Sequence, residues 1–306
     1  MPLTGDQFEI RAGGYRAVVT ESGATLRMLE HEGRPLLDGF DEDAMPSGGR
    51  GQLLAPWPNR IRDGAYRFGE HDLQLPISDV PRGNASHGLV RWAAWTVHEH
   101  TDTSVSLSCR LMAQSGYPWT LDLHVLHDLS ADGLTVTQSV TNLSPEPAPY
   151  AHGAHPYLAV GSGPVDGLRL TLPARTRLLV DDRLIPVGSE PVAGTAYDFT
   201  GGREIGATAF DDAFTDLVRD EHGHAVTVLA DPATGHGVAL WVDAAHGWLQ
   251  VYSGDDVPAT ARRSLAVEPM TAPADAFRSG EGLRVLAPAG EDGDTFAASW
   301  GVRAVG

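Results

Sequence analysis

The sequence contains no lysine, and all 22 of its basic residues are arginine. This absence excludes every mechanism that needs a lysine amine, including Schiff-base catalysis, an internal pyridoxal aldimine and the phosphate contact of a P-loop. Chemistry on this chain must therefore use His, Asp, Glu, Tyr or Arg side chains.

Cysteine is almost as scarce. Cys109 is the only one, and it lies in the alternating run VSLSCRL, where we expect a small buried strand residue. One cysteine allows neither an intramolecular disulfide nor a thiolate zinc cluster. His152 and His155 are three residues apart, but no clear third ligand accompanies them and a strand would not place both on one face. We therefore expect neither a metal nor a cofactor.

Long apolar runs are also missing. No stretch approaches the roughly 20 apolar residues that a membrane span needs, and the first residues, MPLTGDQFEI, lack the charged and apolar regions of a secretory signal. The net charge of −18 repels the phosphates of nucleic acids and anionic lipid head groups. We expect a cytoplasmic protein that binds neither nucleic acid nor membranes, with its oligomeric state left open.

Amphipathic helices are few, and the best candidate is a short one around residues 274–277. The chain instead contains many strand-length runs rich in β-branched and aromatic residues, and several alternate apolar with polar positions. Examples are YRAVVTESG, TLDLHVLHDLS, GLTVTQSVTN and WLQVYSGD. They recur every roughly eight to twelve residues between turn segments, a spacing typical of antiparallel sandwiches and barrels. The pattern predicts one all-β domain over residues 1–306.

Two loop segments in the first third of the chain contain candidate ligand-binding side chains. In LLAPWPNRIRDG, the Arg60 guanidinium stands beside an amide and close to an indole, a combination that suits sugar hydroxyls and C–H faces. In PRGNASHGLVRW, His87 precedes Gly88, which permits close approach of a ligand. Taken alone, the first segment fits a solvated turn better than a binding site, and His87 fits a surface residue better.

Three later segments add titratable groups. In YAHGAHPYLAVG, the proline after His155 restricts that residue to an extended backbone, which suits an imidazole that must be aimed. In SLAVEPMTAPADAF, Glu268 is expected to end an apolar strand, where partial desolvation would raise its pKa and make it a better base. In AFDDAFTDL, the adjacent acids Asp211 and Asp212 lie between aromatic residues.

The order of these motifs is N-R-I, H-G, H-P-Y, D-D-A-F and then a strand with a glutamate before a proline. This order resembles the aldose 1-epimerase (galactose mutarotase-like) family, from about residue 53 to 277. The stretches APWPNRIRDGAYRF and GNASHGLVR resemble the bacterial branch that includes sulfoquinovose mutarotase. The resemblance implies a large antiparallel β-sandwich, the galactose mutarotase-like supersandwich, and interconversion of the α and β anomers of a hexose monosaccharide.

Carried over by position, the resemblance implies that Glu268 is the general base and His155 the general acid. It implies that His87 assists at the sugar ring and that Arg60 and Asp211 hold substrate hydroxyls. The chemistry agrees, because opening a hemiacetal requires a base at the C1 hydroxyl and an acid at the ring oxygen. A carboxylate and an imidazole suffice for this, without metal or cofactor.

Two departures from the family pattern leave the sugar open. Met270 stands where the family often has a glutamine, and Asp212 where a histidine is common. The substrate is then a neutral hexose or an anionic sugar, either a hexose 6-phosphate or sulfoquinovose, with Arg82 as the candidate anion contact. A non-catalytic carbohydrate-binding protein is a further alternative. A glycoside hydrolase is disfavoured, because only Glu268 has a convincing setting and hydrolysis normally needs two carboxylates.

Overall fold

Strands form most of the regular structure in the computed structural model, which describes residues 1–306. The first strands are β1 Gln7–Ala12, β2 Tyr15–Thr20, β3 Leu26–His31, β4 Arg34–Pro35, β5 Leu53–Leu54, β6 Arg60–Arg62, β7 Ala65–Phe68, β8 His71–Gln74, β9 Asn84–Ser86, β10 Thr96–His100, β11 Ser104–Leu111, β12 Leu121–Ser130 and β13 Gly133–Asn142. The remaining strands are β14 Ala148–Tyr150, β15 Gly153–Ala154, β16 Tyr157–Leu158, β17 Arg169–Thr171, β18 Ala174–Val180, β19 Pro186–Pro191, β20 Arg203–Glu204, β21 Asp211–Leu217, β22 Ala225–Ala230, β23 Gly237–Val242, β24 Trp248–Tyr252, β25 Leu265–Met270, β26 Arg284–Leu286 and β27 Thr295–Val305.

Helical structure is confined to single turns. Two short 3₁₀ segments span Val80–Arg82 and Val165–Gly167, and one α-helical turn, α1, spans Ala276–Ser279. This turn overlaps the short helix that the sequence predicts around residues 274–277. No helix has the length and apolar character that a bilayer span requires.

Alternation along the strands determines which face is buried. In β12, Leu121, Leu123 and Val125 are buried, whereas His124 and Asp128 between and beyond them are exposed. Successive side chains of a strand point to opposite faces, so this two-residue period gives one apolar face and one polar face. The apolar face must be covered by a second layer.

Two large antiparallel sheets provide these layers. One has nine strands in the order β10-β11-β12-β13-β27-β23-β22-β17-β20. The other has eight, in the order β19-β18-β21-β24-β25-β15-β5, with β16 also pairing with β25. One continuous hydrophobic cluster includes Val125 and Leu240 from the first sheet and Leu249 and Val267 from the second. The predicted all-β antiparallel sandwich is confirmed.

The central strand β25 does not end at Glu268, as the sequence led us to expect, but continues through Pro269 to Met270. Val267 and Thr271 donate their backbone N–H groups to the chain segment that contains β15 and β16. Pro269 lies between these two donors and has no N–H to give. The proline is tolerated because the neighbouring chain is itself interrupted there, between β15 and β16. Glu268 therefore lies inside a buried strand.

The contact between Gly88 and Ala55 supports a prediction about stability. Gly88 has a φ of +72°, and a Cβ there would lie 2.0 Å from the Ala55 carbonyl oxygen. Gly69 also has a positive φ, +56°, but a Cβ there would meet nothing within 4 Å. Gly88→Ala should lower the free energy of unfolding by about 2–5 kcal/mol, combining left-handed strain with overpacking. The matched change Gly69→Ala should cost only the strain, about 1–2 kcal/mol. Urea denaturation measures both, and equal losses would show that the close approach is absent.

Candidate active site

A single open cavity of about 330 Å³ is lined by all five of the site residues expected from the sequence. These residues are Arg60, His87, His155, Asp211 and Glu268. They come from strands β6, β21 and β25 and from the loops after β9 and β15. Residues more than 200 positions apart in the chain thus meet at one face of the eight-stranded sheet.

The sheet register places Glu268 and His155 opposite each other. β15 pairs with β25 just before His155, and β16 pairs with it just after, in the same register. The side chains meet with His155 Nε2 at 3.3 Å from Glu268 Oε1. His155 is 5% exposed and Glu268 2% exposed. The carboxylate and the imidazole therefore form a buried cross-strand pair.

Burial pushes the pKa values of this pair in opposite directions. Desolvation raises the pKa of Glu268 well above its ordinary value, and the nearby Asp211 charge adds to the effect. Desolvation lowers the pKa of His155 to about 3, and the positive charge of Arg91 lowers it further. Both shifts favour the uncharged forms. Burial therefore favours a protonated carboxyl beside a neutral imidazole over the ion pair.

An amide network extends from the pair along the sheet. Gln250 of β24 lies directly opposite Glu268 in the register. Its side-chain oxygen accepts a hydrogen bond from Asn59 Nδ2 at 3.2 Å, and its Nε2 donates to Asp211 Oδ1 at 2.9 Å. Asp211 is buried enough that desolvation raises its pKa. The network fixes the orientation of the Gln250 amide, so the Asp211 carboxylate keeps one oxygen free of it.

His87 and Arg60 complete the set of expected residues in the cavity. The Asn59 backbone N–H donates to His87 Nδ1 at 3.2 Å. Burial lowers the pKa of His87 well below its ordinary value, so the imidazole is neutral. Since Nδ1 accepts, the proton of the neutral ring must lie on Nε2. Arg60 is held by Asp79 through an Nε–Oδ2 contact of 2.8 Å. The cavity thus contains one neutral N–H donor and one anchored guanidinium.

Arg91 also lines the cavity, although sequence reasoning assigned the anion contact to Arg82 instead. Arg82 lies 3.8 Å from Asp79 and 3.9 Å from Asp256, so its charge is partly balanced. Arg91 has no carboxylate within salt-bridge distance, and its one side-chain hydrogen bond goes to Gln52 Oε1 at 3.3 Å. Desolvation lowers its pKa. Only tertiary structure shows which arginine lacks a partner, so the sequence GLVRW carried no signal for this.

The two residues that depart from the family pattern have structural partners. Met270 is fully buried in a small cluster with Leu178 and Ala213, outside the cavity lining. Asp212 forms an ion pair of 3.0 Å with Arg177. His152 does not line the cavity either. Besides Asn59, the cavity contains a second amide, Gln250, a polar residue on the otherwise apolar strand WLQVY. That polar position was a signal in the sequence, and it was missed.

The raised pKa of Glu268 gives a prediction about stability. An unfolded chain ionises this carboxyl above its ordinary pKa of 4.5, whereas burial raises the pKa in the folded protein, so that the carboxyl keeps its proton to higher pH. The contribution of Glu268 to the free energy of unfolding is therefore most favourable below pH 4.5. It becomes less favourable as the pH rises toward the pKa of Glu268 in the folded protein. Glu268→Gln, which cannot ionise, should raise the free energy of unfolding at pH 7 by about 1–3 kcal/mol. The gain should vanish near pH 4.

Urea titrations at pH 4 and pH 7 provide the measurement. Glu146→Gln removes a carboxylate that is 61% exposed and lies 3.1 Å from His71, and it should change stability little at either pH. A Glu268→Gln variant that is less stable than the native protein at pH 7 would contradict the assigned direction of the pKa shift.

Comparisons with known proteins agree with this fold and cavity. A profile of the aldose 1-epimerase family matches residues 6–292. The uncharacterized protein YihR of Escherichia coli K12 is 36% identical over 287 residues, which is 94% of this chain and 90% of YihR. Crystal structures of an aldose epimerase homologue from C. elegans and of a galactose 1-epimerase from Lactobacillus acidophilus superpose with TM-scores of 0.86 and 0.82 at 19% and 20% identity. The superpositions cover 98% and 100% of this chain, and 98% and 97% of the respective solved chains. The chain belongs to the aldose 1-epimerase family.

Proposed function

We propose that this protein interconverts the α and β anomers of a hexose, with Glu268 and His155 as the two proton-transfer groups. The observation that supports this proposal is their buried contact of 3.3 Å between Oε1 and Nε2. A carboxylate and an imidazole sharing one proton contain one base and one acid, which is the complement that ring opening needs.

The reaction begins with the proton of the pair on His155, so that Glu268 is ionised. Glu268 takes the proton of the C1 hydroxyl as a C1=O bond forms and the bond from C1 to the ring oxygen breaks. His155 gives its proton to that oxygen. The products are an open aldehyde, a protonated carboxyl and a neutral imidazole. The last two are the forms that burial favours in the empty site.

The second half of the reaction reverses these transfers on the other face. The aldehyde turns about the C1–C2 bond, and the former ring oxygen attacks C1 from the opposite side. His155 takes the proton of the attacking hydroxyl while Glu268 returns its proton to O1. No proton is gained or lost over the cycle, so neither metal nor cofactor is required by the balance.

The remaining residues of the cavity are proposed to hold the sugar. The Nε2–H of neutral His87 is a donor beside the ring of His155, at 5.5 Å between centroids, and is assigned to assist at the sugar ring. The Arg60 guanidinium donates to hydroxyl oxygens, and Asp211 accepts from hydroxyl protons through the oxygen that Gln250 does not occupy.

Substitution of the pair tests the proposal. Glu268→Gln and His155→Asn should each lower the catalysed rate of anomer exchange by roughly 10²–10⁴-fold, the usual contribution of one general acid or base. The rate is measured by NMR magnetisation exchange between the two anomers at equilibrium, which needs no coupling enzyme.

An exposed pair of the same kind supplies the control. His71 and Glu146 lie 3.1 Å apart, with side chains 43% and 61% exposed. The changes His71→Asn and Glu146→Gln should leave the rate unaltered. A Glu268→Gln variant that exchanges anomers as fast as the native protein would rule out the assigned mechanism.

The unpaired charge of Arg91 favours a second candidate, in which the hexose carries an anionic group such as a phosphate or a sulfonate. A guanidinium with one neutral hydrogen-bond partner has donors left for an anion, and a charge-assisted contact forms where no internal carboxylate competes. The exposed Trp92 ring follows it in the lining. The candidate differs from the first only in the sugar.

Rates on glucose, galactose, glucose 6-phosphate and sulfoquinovose distinguish the two candidates. If the sugar is anionic, Arg91→Gln should lower kcat/KM for the anionic substrate by roughly 10–100-fold, the loss of one charge-assisted hydrogen bond. The rate on neutral sugars should change far less. Arg82→Gln is the matched control, because Asp79 and Asp256 already balance that arginine. Equal losses on all four sugars would exclude an anion contact at Arg91.

A further inference from the structure

The second ring nitrogen of His155, Nδ1, is buried and has no hydrogen-bond partner in another residue. A working histidine usually has this nitrogen fixed by a carboxylate or a carbonyl of a neighbouring residue. The backbone around it is well held, since His155 N donates to Gln52 O at 3.0 Å and Gly51 N donates to His155 O at 2.9 Å. These bonds fix the main chain but not the ring torsions. The contact with Glu268 holds the ring at Nε2 only, so packing must fix the plane of the ring.

Two neighbours supply that packing. The ring of Tyr157 lies parallel to the imidazole, with 5.0 Å between centroids and 9° between planes. Gly49 also abuts the ring, because a Cβ there would lie 2.7 Å from His155 Cδ2. Tyr157 is itself anchored, since its hydroxyl donates to Gly48 O at 2.7 Å. A ring packed in this way cannot tilt without displacing main chain or the anchored tyrosine.

The stack continues from Tyr157 to a buried cation. The Arg50 guanidinium lies 4.3 Å from the centre of the Tyr157 ring, and Arg50 is only 5% exposed. Arg50 Nε and Nη2 donate to Asp38 Oδ2 at 3.2 and 3.1 Å. The same oxygen accepts from Ser264 Oγ at 2.8 Å, and Ser264 immediately precedes β25. Asp38 thus connects the stack to the strand of Glu268.

We propose that Tyr157 and Arg50 are positioning residues, which hold the imidazole plane of His155 in line with the Glu268 carboxyl and with the sugar. Arg50 acts through Tyr157, because its guanidinium stacks on the tyrosine. The inference rests on the proposed role of His155. It adds that stacking, and not a hydrogen bond from Nδ1 to a neighbouring residue, sets the plane of the acid.

A pair of substitutions at position 157 separates stacking from hydrogen bonding. Tyr157→Phe removes the hydroxyl but keeps the ring, so kcat should stay within about threefold of the native value. Tyr157→Leu removes the ring, and kcat should fall roughly 10–100-fold, the effect of a catalytic group displaced by about 1 Å. KM should change less than kcat in both, because Arg60, His87 and Asp211, which are proposed to hold the sugar, are unchanged. Anomer exchange by NMR provides both constants.

Arg50→Met removes the guanidinium that stacks on Tyr157 and leaves the tyrosine in place, so it tests the proposal even if Tyr157→Leu fails to fold. Like Tyr157→Leu, it should lower kcat. Arg27→Met is the control. Arg27 donates to Phe40 O at 3.3 Å, two residues after Asp38, and takes no part in the stack. Its kcat should be native. Rates are compared at the maximum of each pH profile, since Arg50, like Arg91 and Arg60, also lowers the pKa of His155.

The outcomes are distinct. A Tyr157→Leu kcat equal to that of Tyr157→Phe, or an Arg50→Met kcat equal to that of Arg27→Met, overturns the positioning role even while Glu268→Gln remains inactive. A fully active Glu268→Gln instead overturns the proposed function itself. A fall in kcat confined to Tyr157→Leu and Arg50→Met supports the stack.

Discussion

Glu268 Oε1 and His155 Nε2 lie 3.3 Å apart, in residues that are only 2% and 5% exposed. Water there is too scarce to stabilise either charge, so desolvation favours the neutral pair. At this distance the attraction between a carboxylate and an imidazolium offsets part of that cost. That attraction brings the two positions of a proton on the pair closer in energy. The proposed exchange of roles between base and acid requires such a near balance.

The strands enforce the distance. His155 lies in the gap between β15 and β16, directly across from Glu268 on β25, and Pro269 matches that gap because it has no N–H to pair. Without the gap, β15 and β16 would form one continuous strand with the regular hydrogen bonds of an antiparallel ladder to β25. Here the interruption occurs where the two side chains proposed to transfer protons face each other, and the flanking ladder segments hold both ends of it.

Much of this was predictable from local pattern. Alternation in runs such as TLDLHVLHDLS identifies strands, because a two-residue period produces one buried face. The order of five short motifs indicated the family, and the residues in them line one cavity. The end of β25 was misplaced because proline normally terminates a central strand, and only the partner chain shows why it does not. The side chain of Arg91 has its one hydrogen bond with Gln52, 39 positions away, and Arg50 stacks on Tyr157, 107 positions away. No local sequence pattern specifies such contacts.

The cavity loops are held in a conformation that their own sequence disfavours. Asn59 and His87 have φ values of +53° and +61°, and for residues with a Cβ such backbone costs about 1–2 kcal/mol each. The two are joined, since the Asn59 N–H donates to the His87 ring and the His87 N–H donates to the Asn59 carbonyl at 2.8 Å. Relaxing either residue would break both bonds and withdraw the imidazole from the cavity. The strain is maintained by the sandwich beneath, whose core includes Trp57 and Ile61 on either side of Asn59. The rigid sheets are therefore a condition for the geometry of the loops.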